Sequence, residues 1–222
     1  MEDRITPGLY LEMTSRAPEE YAQQRVPQVL AQAGVQRATW WQNVVPHRTD
    51  LPRELDEFSV LGLYEVDDAF RVSSDAAGLQ VGPDSWAGLH FRRYPRPAQG
   101  SLSGRPTIGL SLVLISPRRP DEAQALRDWA DFVHIRHIAE AAVPGYCMIT
   151  PYERVGGGDP RFMHFYEMDT DDPETAFKAM TPLVMQGIGD EQTDAFKRWA
   201  WGPSLRIMYV NSFVRVGASD AK

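Results

Sequence analysis

The 222-residue sequence lacks several features that mark large classes of proteins. Its single cysteine, Cys147, excludes a disulfide framework and a cysteine-rich zinc site. The net charge is −7 and no basic cluster stands out, which argues against nucleic acid as a partner. No apolar run approaches the roughly 20 residues that cross a bilayer, and the first residues do not form a signal peptide. We therefore expect a soluble, cytoplasmic protein that binds neither nucleic acid nor membranes.

The sequence does contain a faint internal repeat. Two pairs of segments match: LGLYEVDD (61–68) with MHFYEMDTDD (163–172), and EEYAQQRVPQVLAQAGV (19–35) with ADFVHIRHIAEAAVPGY (130–146). In the second pair Arg25 aligns with Arg136 and Gly34 with Gly145, both 111 positions apart. Hydrophobic residues make up 43% of the chain, enough for a packed core in each copy. We infer two copies of one structural unit.

Each copy is predicted to run strand, helix, strand, strand, helix, strand. In the second copy we expect strands at 107–116, 146–154, 161–169 and 205–214, and helices at 121–142 and 173–200. In the first copy the second helix region, 73–86, contains Gly and Pro and should be short or irregular. This order is typical of an α+β ferredoxin-like (βαββαβ) unit.

The alternation along strand 161–169 predicts how the two units meet. Neither face of this strand is cleanly polar, so one face should pack on helices and the other on the sister sheet. The predicted fold is therefore two tandem ferredoxin-like units packed sheet to sheet as an intramolecular barrel. We place the first, degenerate unit at 1–100, a Ser/Gly/Pro-rich linker at 101–106 and the second unit at 107–222.

The stretch WADFVHIRHI followed by VPGY resembles the signature of EthD-like proteins of the dimeric α+β barrel superfamily. Trp129 and His134 match its spacing, and Pro144-Gly145 matches two residues late. The resemblance implies a ligand pocket between sheet and helices, and pairing of sheets that is internal here, in a monomer or a homodimer. It also implies diverse activities: cofactor-independent monooxygenases, polyketide cyclases, lactone isomerases, decarboxylases and haem enzymes. The fold therefore does not by itself assign a reaction.

Two histidines one turn apart, His134 and His137, are the catalytic candidates on the predicted helix. Helical periodicity puts His137 at the centre of the apolar face, formed with Leu126, Trp129, Ala130, Val133 and Ala141. The resemblance instead favours His134. A histidine titrates near neutrality and can act as acid or base, although His137 is equally explained as a core histidine bonded to a carbonyl. A shared metal would need a third ligand from Glu140, His164 or Glu167 without a compact motif, so we expect no metal.

Further candidates surround this helix. Tyr152 and Tyr166 could donate to a developing oxyanion, or could simply be core aromatics. Arg136 could hold a carboxylate, but Arg25 and Arg136 could instead pair with Glu65 and Glu167. The residues predicted to bind substrate are Trp129, Val133, Arg136, Met148, Glu167, Trp199 and Trp201.

The sequence thus predicts a cofactor-independent enzyme in which a histidine moves a proton on a small hydrophobic molecule. The substrate would be aromatic, terpenoid or polyketide-like, and the outcome isomerisation, cyclisation, decarboxylation or oxygenation. Two alternatives stay open at this point: a non-catalytic ligand-binding or assembly protein, and a haem-dependent enzyme.

Overall fold

The computed structural model describes residues 6–72, 87–101 and 103–221. The strands are β1 (Gly8–Thr14), β2 (Val35–Asn43), β3 (Val60–Val66), β4 (Ala87–Arg93), β5 (Gln99–Gly100), β6 (Gly109–Pro117), β7 (Tyr146–Arg154), β8 (Phe162–Met168) and β9 (Leu205–Asp220). The helices are α1 (Pro18–Gln24), α2 (Val26–Leu30), α3 (Ala123–Trp129), α4 (Ile135–Glu140), α5 (Pro173–Ile188) and α6 (Asp194–Ala200). The predicted helix region 73–86 lies outside the described residues.

The strands form an antiparallel barrel made of two equivalent halves. The order is β4-β1-β3-β2 in the first half and β9-β6-β8-β7 in the second, which is the same order within each ferredoxin-like unit. Pairing of β2 with β9 and of β4 with β7 closes the ring. The predicted fold, two such units packed as an intramolecular barrel, is confirmed. The unit boundaries at 100 and 107 stay a prediction.

Two elements differ from their predicted extents for local reasons. Strand β9 continues to Asp220 because its first part pairs with β6 and its last part pairs with β2. The predicted helix 173–200 is two helices, because the chain turns at Gly189, whose φ is +94°. Helix α6 then starts afresh, with the Thr193 hydroxyl accepting a hydrogen bond from the backbone N–H of Phe196 at 3.1 Å. Among the described residues, no helix combines the length and apolar character needed to cross a membrane.

Alternate residues of the central strands separate the barrel interior from the layer beneath the helices. On β8, Met163 and Phe165 belong to the packed barrel interior, whereas Tyr166 and Met168 pack under the second unit's helices. The same alternation on β3 sends Leu61 and Leu63 inward and Tyr64 outward. Each strand therefore serves two separate cores.

A single turn of π-helix, Ala130–His134, joins α3 to α4. A π turn carries one residue more than an α turn, and each residue rotates the helix by about 100°, so the buried face changes partway along. Ile135 and Ile138 are the residues of α4 that become buried. The expectation that His137 occupies the centre of the inward face is therefore wrong: its side chain is 33% exposed and its Nδ1 lies 3.1 Å from Glu140 Oε2.

The repeated arginines also find other partners than predicted. In the first unit Arg25 pairs with Glu12 of β1, with Nη2 2.6 Å from Oε1, and the Glu12 side chain is completely buried. In the second unit Arg136 is exposed and pairs with Glu140, Nε to Oε1, at 2.7 Å on the same helix. The predicted pairs with Glu65 and Glu167 do not form, because those carboxylates lie on strand positions that face the barrel interior.

We expect the two arginines to differ sharply in their contribution to stability. Replacing Arg25 by Met leaves the Glu12 carboxylate buried without its cation and should lower the free energy of unfolding by about 3 kcal/mol. Replacing Arg136 by Met removes an exposed pair and should change it by less than about 0.5 kcal/mol. Urea denaturation of both variants measures this difference, and equal effects would contradict the placement of Glu12.

Candidate functional site

A cavity of about 630 Å³ lies between the sheet and the helices of the second unit. Its walls come from β6, β8 and β9 and from the helical segments α3–α4, α5 and α6. Aromatic and aliphatic side chains supply most of the lining: Val113, Ile115, Trp129, Tyr166, Phe177, Met180, Phe196, Trp199, Trp201, Leu205, Ile207 and Val210. Charged lining residues, Asp50, Lys178 and Glu191, are exposed and so belong to the mouth. This is the form of a site for a small, mostly apolar molecule.

In the described part of the first unit, the equivalent space is filled by side chains. The registers of the β1–β3 and β6–β8 pairs match Gly62 with His164 and Tyr64 with Tyr166. In the first unit Tyr21 descends onto the sheet, and a Cβ on Gly62 would come 1.8 Å from its hydroxyl oxygen. That hydroxyl lies 2.6 Å from the Tyr64 hydroxyl and donates to Glu12 at 3.1 Å. Because residue 62 has no side chain, Tyr21 can reach the sheet and fill the space between the sheet and the helices.

His134 lines the cavity in a fixed orientation. Its ring lies against Trp199, with ring centroids 5.2 Å apart and planes at 13°, and against Trp129, with centroids 5.1 Å apart. Its Nδ1 is 3.0 Å from the Trp199 carbonyl oxygen, and the Trp199 Nε1–H donates to the His134 carbonyl at 3.1 Å. The π turn supplies this placement, since His134 is its last residue.

This geometry also assigns the tautomer of His134. A carbonyl oxygen can only accept, so the proton of the neutral ring sits on Nδ1 and the lone pair sits on Nε2. Burial lowers the pKa of His134 from 6.5 to about 4, although the bond to Trp199 opposes the shift and His137 adds to it. The ring is therefore neutral at pH 7, and its Nε2 carries a lone pair that can accept a proton.

His164 and Tyr166 form the floor of the cavity on β8. His164 is buried, and within the described part of the chain its Nε2 has no hydrogen-bond partner. Burial, with Arg127 and His134 adding to it, holds the pKa of His164 well below its usual value, so this ring is also neutral. Burial raises the pKa of Tyr166, whose hydroxyl therefore keeps its proton. An unpaired polar atom in a buried site costs stability, which a bound ligand would recover.

The cavity takes in some of the predicted site residues. His134, Tyr166, Trp129, Trp199 and Trp201 line it. Val133 borders an adjoining surface depression, together with Trp129 and Trp201.

The remaining predicted site residues lie elsewhere, which corrects the sequence analysis. Tyr152 faces the barrel interior, where its hydroxyl donates to the Thr6 carbonyl at 3.2 Å. Glu167 also faces inward and accepts from the Thr107 hydroxyl at 3.0 Å, while burial raises its pKa to about 7. Glu167 follows the cavity residue Tyr166 on β8, where successive side chains point to opposite faces. Tyr152 pairs with Met163 of β8, which also faces the barrel interior. His137 and Arg136 point to the surface because of the π turn, and Met148 on β7 is not among the lining residues.

Sequence reasoning did not recognise His164 as a cavity residue, although one signal was present. His164 aligns with Gly62 in the repeat, so an imidazole in the second copy stands where the first copy has no side chain. It also missed Phe196 of α6, and Asp50 and Leu51 of the first unit. Over the described residues, no group of three or more His, Cys, Asp or Glu side chains is arranged to hold a metal ion.

Comparisons with known proteins support the fold. No protein-family model and no curated protein matches the sequence. An anthrone oxidase-like protein of known structure is 14% identical, with a TM-score of 0.59 over 98% of this chain and 96% of that chain. A mutant chlorite dismutase from Candidatus Nitrospira defluvii is 9% identical, with a TM-score of 0.52 over 96% and 93%. A major regulator of staphylococcal pathogenesis is 11% identical, with a TM-score of 0.51 over 95% and 99%. At these identities the likeness shows the dimeric α+β barrel fold alone.

The neutral state of His134 predicts a dependence of stability on pH. Between pH 6.5 and about 4 the unfolded chain binds a proton at His134 that the folded chain does not. The free energy of unfolding should therefore fall as pH falls through this window, by at most about 1.4 kcal/mol per pH unit for each such histidine. In a His134→Gln variant the slope of unfolding free energy against pH, measured by urea denaturation from pH 6.5 to 5, should be shallower.

His137→Gln is the matched control, because it removes an exposed histidine from the same helical segment. A slope in His134→Gln as steep as that of the wild type would contradict a neutral, partly buried imidazole at residue 134.

Proposed function

We propose that this protein is an enzyme that binds a small, uncharged, hydrophobic molecule in the second unit's cavity and uses His134 to move a proton. One arrangement carries the proposal: a neutral imidazole, fixed by the Trp199 carbonyl, borders an apolar cavity that is also lined by His164, whose Nε2 has no partner among the described residues. The pairing of Trp129 with His134 also supports an EthD-like origin, as the sequence motif suggested.

The lining indicates the substrate class. Among the described lining residues, the hydrogen-bonding groups of the floor are uncharged, and the charged side chains lie at the mouth. A neutral ligand with one or two oxygens would suit the floor, and its apolar body would contact indole, phenyl and aliphatic groups. We therefore propose an aromatic, terpenoid or polyketide-like ketone or phenol. The structural neighbour described as anthrone oxidase-like is in keeping with a fused-ring aromatic ketone.

The chemistry follows from the placement of these groups. The Nε2 lone pair of His134 takes a proton from an acidic C–H or O–H, and the electron pair moves onto the substrate oxygen as an enolate or phenolate. Tyr166, whose hydroxyl keeps its proton, and neutral His164, with its proton on Nε2, would donate to that oxyanion. The low pKa of free His134 disfavours the imidazolium, but an anion formed beside it raises that pKa. Return of the proton to another atom, ring closure, loss of carbon dioxide or reaction with oxygen would then decide the product.

The family resemblance also raises a haem-dependent enzyme as an alternative to the cofactor-independent one. A haem site needs an axial donor, which His164 could supply through its Nε2, an atom without a partner in the described ranges. It also needs cationic partners for two propionates, and the described lining supplies one lysine, Lys178, beside the carboxylates Asp50 and Glu191. The lining therefore does not fit haem as a whole, and we propose no step through iron.

Proton transfer can be tested without knowing the product. Anthrone, a fused-ring ketone with an acidic methylene, is incubated with the protein in deuterated buffer without oxygen, and deuterium uptake at that carbon is followed by NMR. The wild-type protein should accelerate the exchange. The His134→Gln variant should lose about 100-fold of this rate, since general bases contribute at least that much.

The matched variants separate catalysis from folding. His137→Gln should exchange like the wild type, and Tyr166→Phe should be slower by about tenfold or more through loss of an oxyanion donor. Exchange in His134→Gln at the wild-type rate would refute the base. Binding of anthrone without any exchange would favour the non-catalytic ligand-binding alternative. Admitting air and following quinone absorbance tests whether oxygenation is the outcome.

The haem alternative has its own measurement. The purified protein should show no Soret band. Any affinity for added hemin should be the same in a His164→Gln variant as in the wild type. A Soret band in the protein as isolated, lost in His164→Gln, would replace the cofactor-independent proposal.

A further inference from the structure

Part of the second unit's cavity is built by the first unit. After β2 the chain leaves the first unit and runs along β9 before it returns to β3. Asp50 and Leu51 on this connection line the cavity. We call residues 44–59 the crossing segment. It is fixed to β9 on both sides of Asp50 and Leu51, because Val44 N–H donates to the Ser212 carbonyl at 3.1 Å and Glu54 N–H donates to the Met208 carbonyl at 2.9 Å.

Arg48 anchors the middle of the crossing segment. Its side chain is 1% exposed, and its Nη2 donates to Glu174 in the first turn of α5. Its Nε donates to Asn211 Oδ1 at 3.3 Å, and its guanidinium lies 4.7 Å above the ring centroid of Phe177. Phe177 itself lines the cavity. One buried cation thus joins the first unit's segment to the helix and strand that form the second unit's cavity.

The same cation orients the residues that reach the cavity. Arg48 Nη1 donates to Asp50 at 3.1 Å, and the Arg48 carbonyl accepts from Arg53 Nη2. Glu174 has a further donor, the Ser212 hydroxyl at 2.8 Å, so its carboxylate is held in place. The position of Leu51, half-buried in the cavity wall, is therefore set by contacts made three residues earlier.

We infer that Leu51 limits the size of the ligand and that Arg48 is the residue that positions it. The inference rests on the proposed function, and it gives the first unit a role in specificity rather than only in support. A ligand that extends toward the mouth meets Leu51, and the anchored segment cannot retreat to admit a larger ring system. Shortening Leu51 should enlarge the acceptable ligand, and releasing Arg48 should remove the discrimination by size.

The test uses three neutral probes of increasing size: 1-naphthol, anthrone and 1-hydroxypyrene, with two, three and four fused rings. Their Kd values are measured by calorimetry for the wild type, Leu51→Ala, Arg48→Met and Glu174→Gln. Leu51→Ala should bind 1-hydroxypyrene about tenfold more tightly than the wild type and 1-naphthol within about twofold. Arg48→Met and Glu174→Gln should bind the three probes with similar Kd values, and the double variant should resemble either single variant.

A ligand-free measurement tests the anchor separately. Hydrogen exchange at the Glu54 and Leu55 amides should be at least about tenfold faster in Arg48→Met. Arg206→Met is the matched control, because Arg206 pairs with Glu54 of the same segment at 2.7 Å but does not line the cavity. It should leave the ranking of the probes unchanged.

The outcomes distinguish the two proposals. If the wild type binds the probes but Leu51→Ala keeps the same ranking, the size limit is wrong while the proposed function stands. If Arg48→Met exchanges no faster than Arg206→Met, Arg48 does not position the segment. A wild type that binds none of the three probes overturns the proposed function, and the size limit with it.

Discussion

Strand β9 connects the two halves of the molecule because it is hydrogen-bonded on both sides to different units. Its first part completes the second unit's sheet on β6, and its last part pairs with β2 of the first unit. With the β4–β7 contact this pairing closes the barrel and leaves few strand edges open. It also provides the surface along which the crossing segment runs. The closed sheet, the cavity and the wall that the first unit adds to it therefore all depend on the length of β9, which extends past β6 to reach β2.

The two units share one arrangement of strands and helices but differ in the layer between the sheet and the helices. In the first unit the layer between sheet and helices is packed with Tyr10, Tyr21 and Tyr64 around the buried Glu12 and its partner Arg25. In the second unit, Ser111 and Val113 take the register positions of Tyr10 and Glu12, and a cavity occupies that layer. The packed layer stabilises its unit, whereas in the open layer the His164 Nε2 has no hydrogen-bond partner within the part of the chain that the structure describes. Such a division is expected when one unit binds a ligand and the other supports it.

Much of the fold was predictable, because the repeat sets the order of strands and alternation along 161–169 shows that both faces are covered. The π turn was not, since one extra residue in a helix leaves the amphipathic pattern nearly intact while it turns the following side chains. This is why His134 and His137 exchanged places relative to helical periodicity. Tyr152 was misplaced for a different reason: neither face of β7 is polar enough to show which face lies inside the barrel. The anchoring role of Arg48 could not be read from the sequence, because the partners that join it to the second unit, Glu174 and Asn211, lie 126 and 163 positions away in the chain.

The enclosure of His134 has a consequence for the stereochemistry of any reaction it catalyses. Two indoles and a backbone carbonyl hold the ring, so its Nε2 lone pair points along one direction relative to the cavity floor. A ligand whose oxygen is held by His164 and Tyr166 would present a single face to that lone pair. A proton removed and returned by the same nitrogen would then enter on one side only, and a newly formed asymmetric carbon would have one handedness.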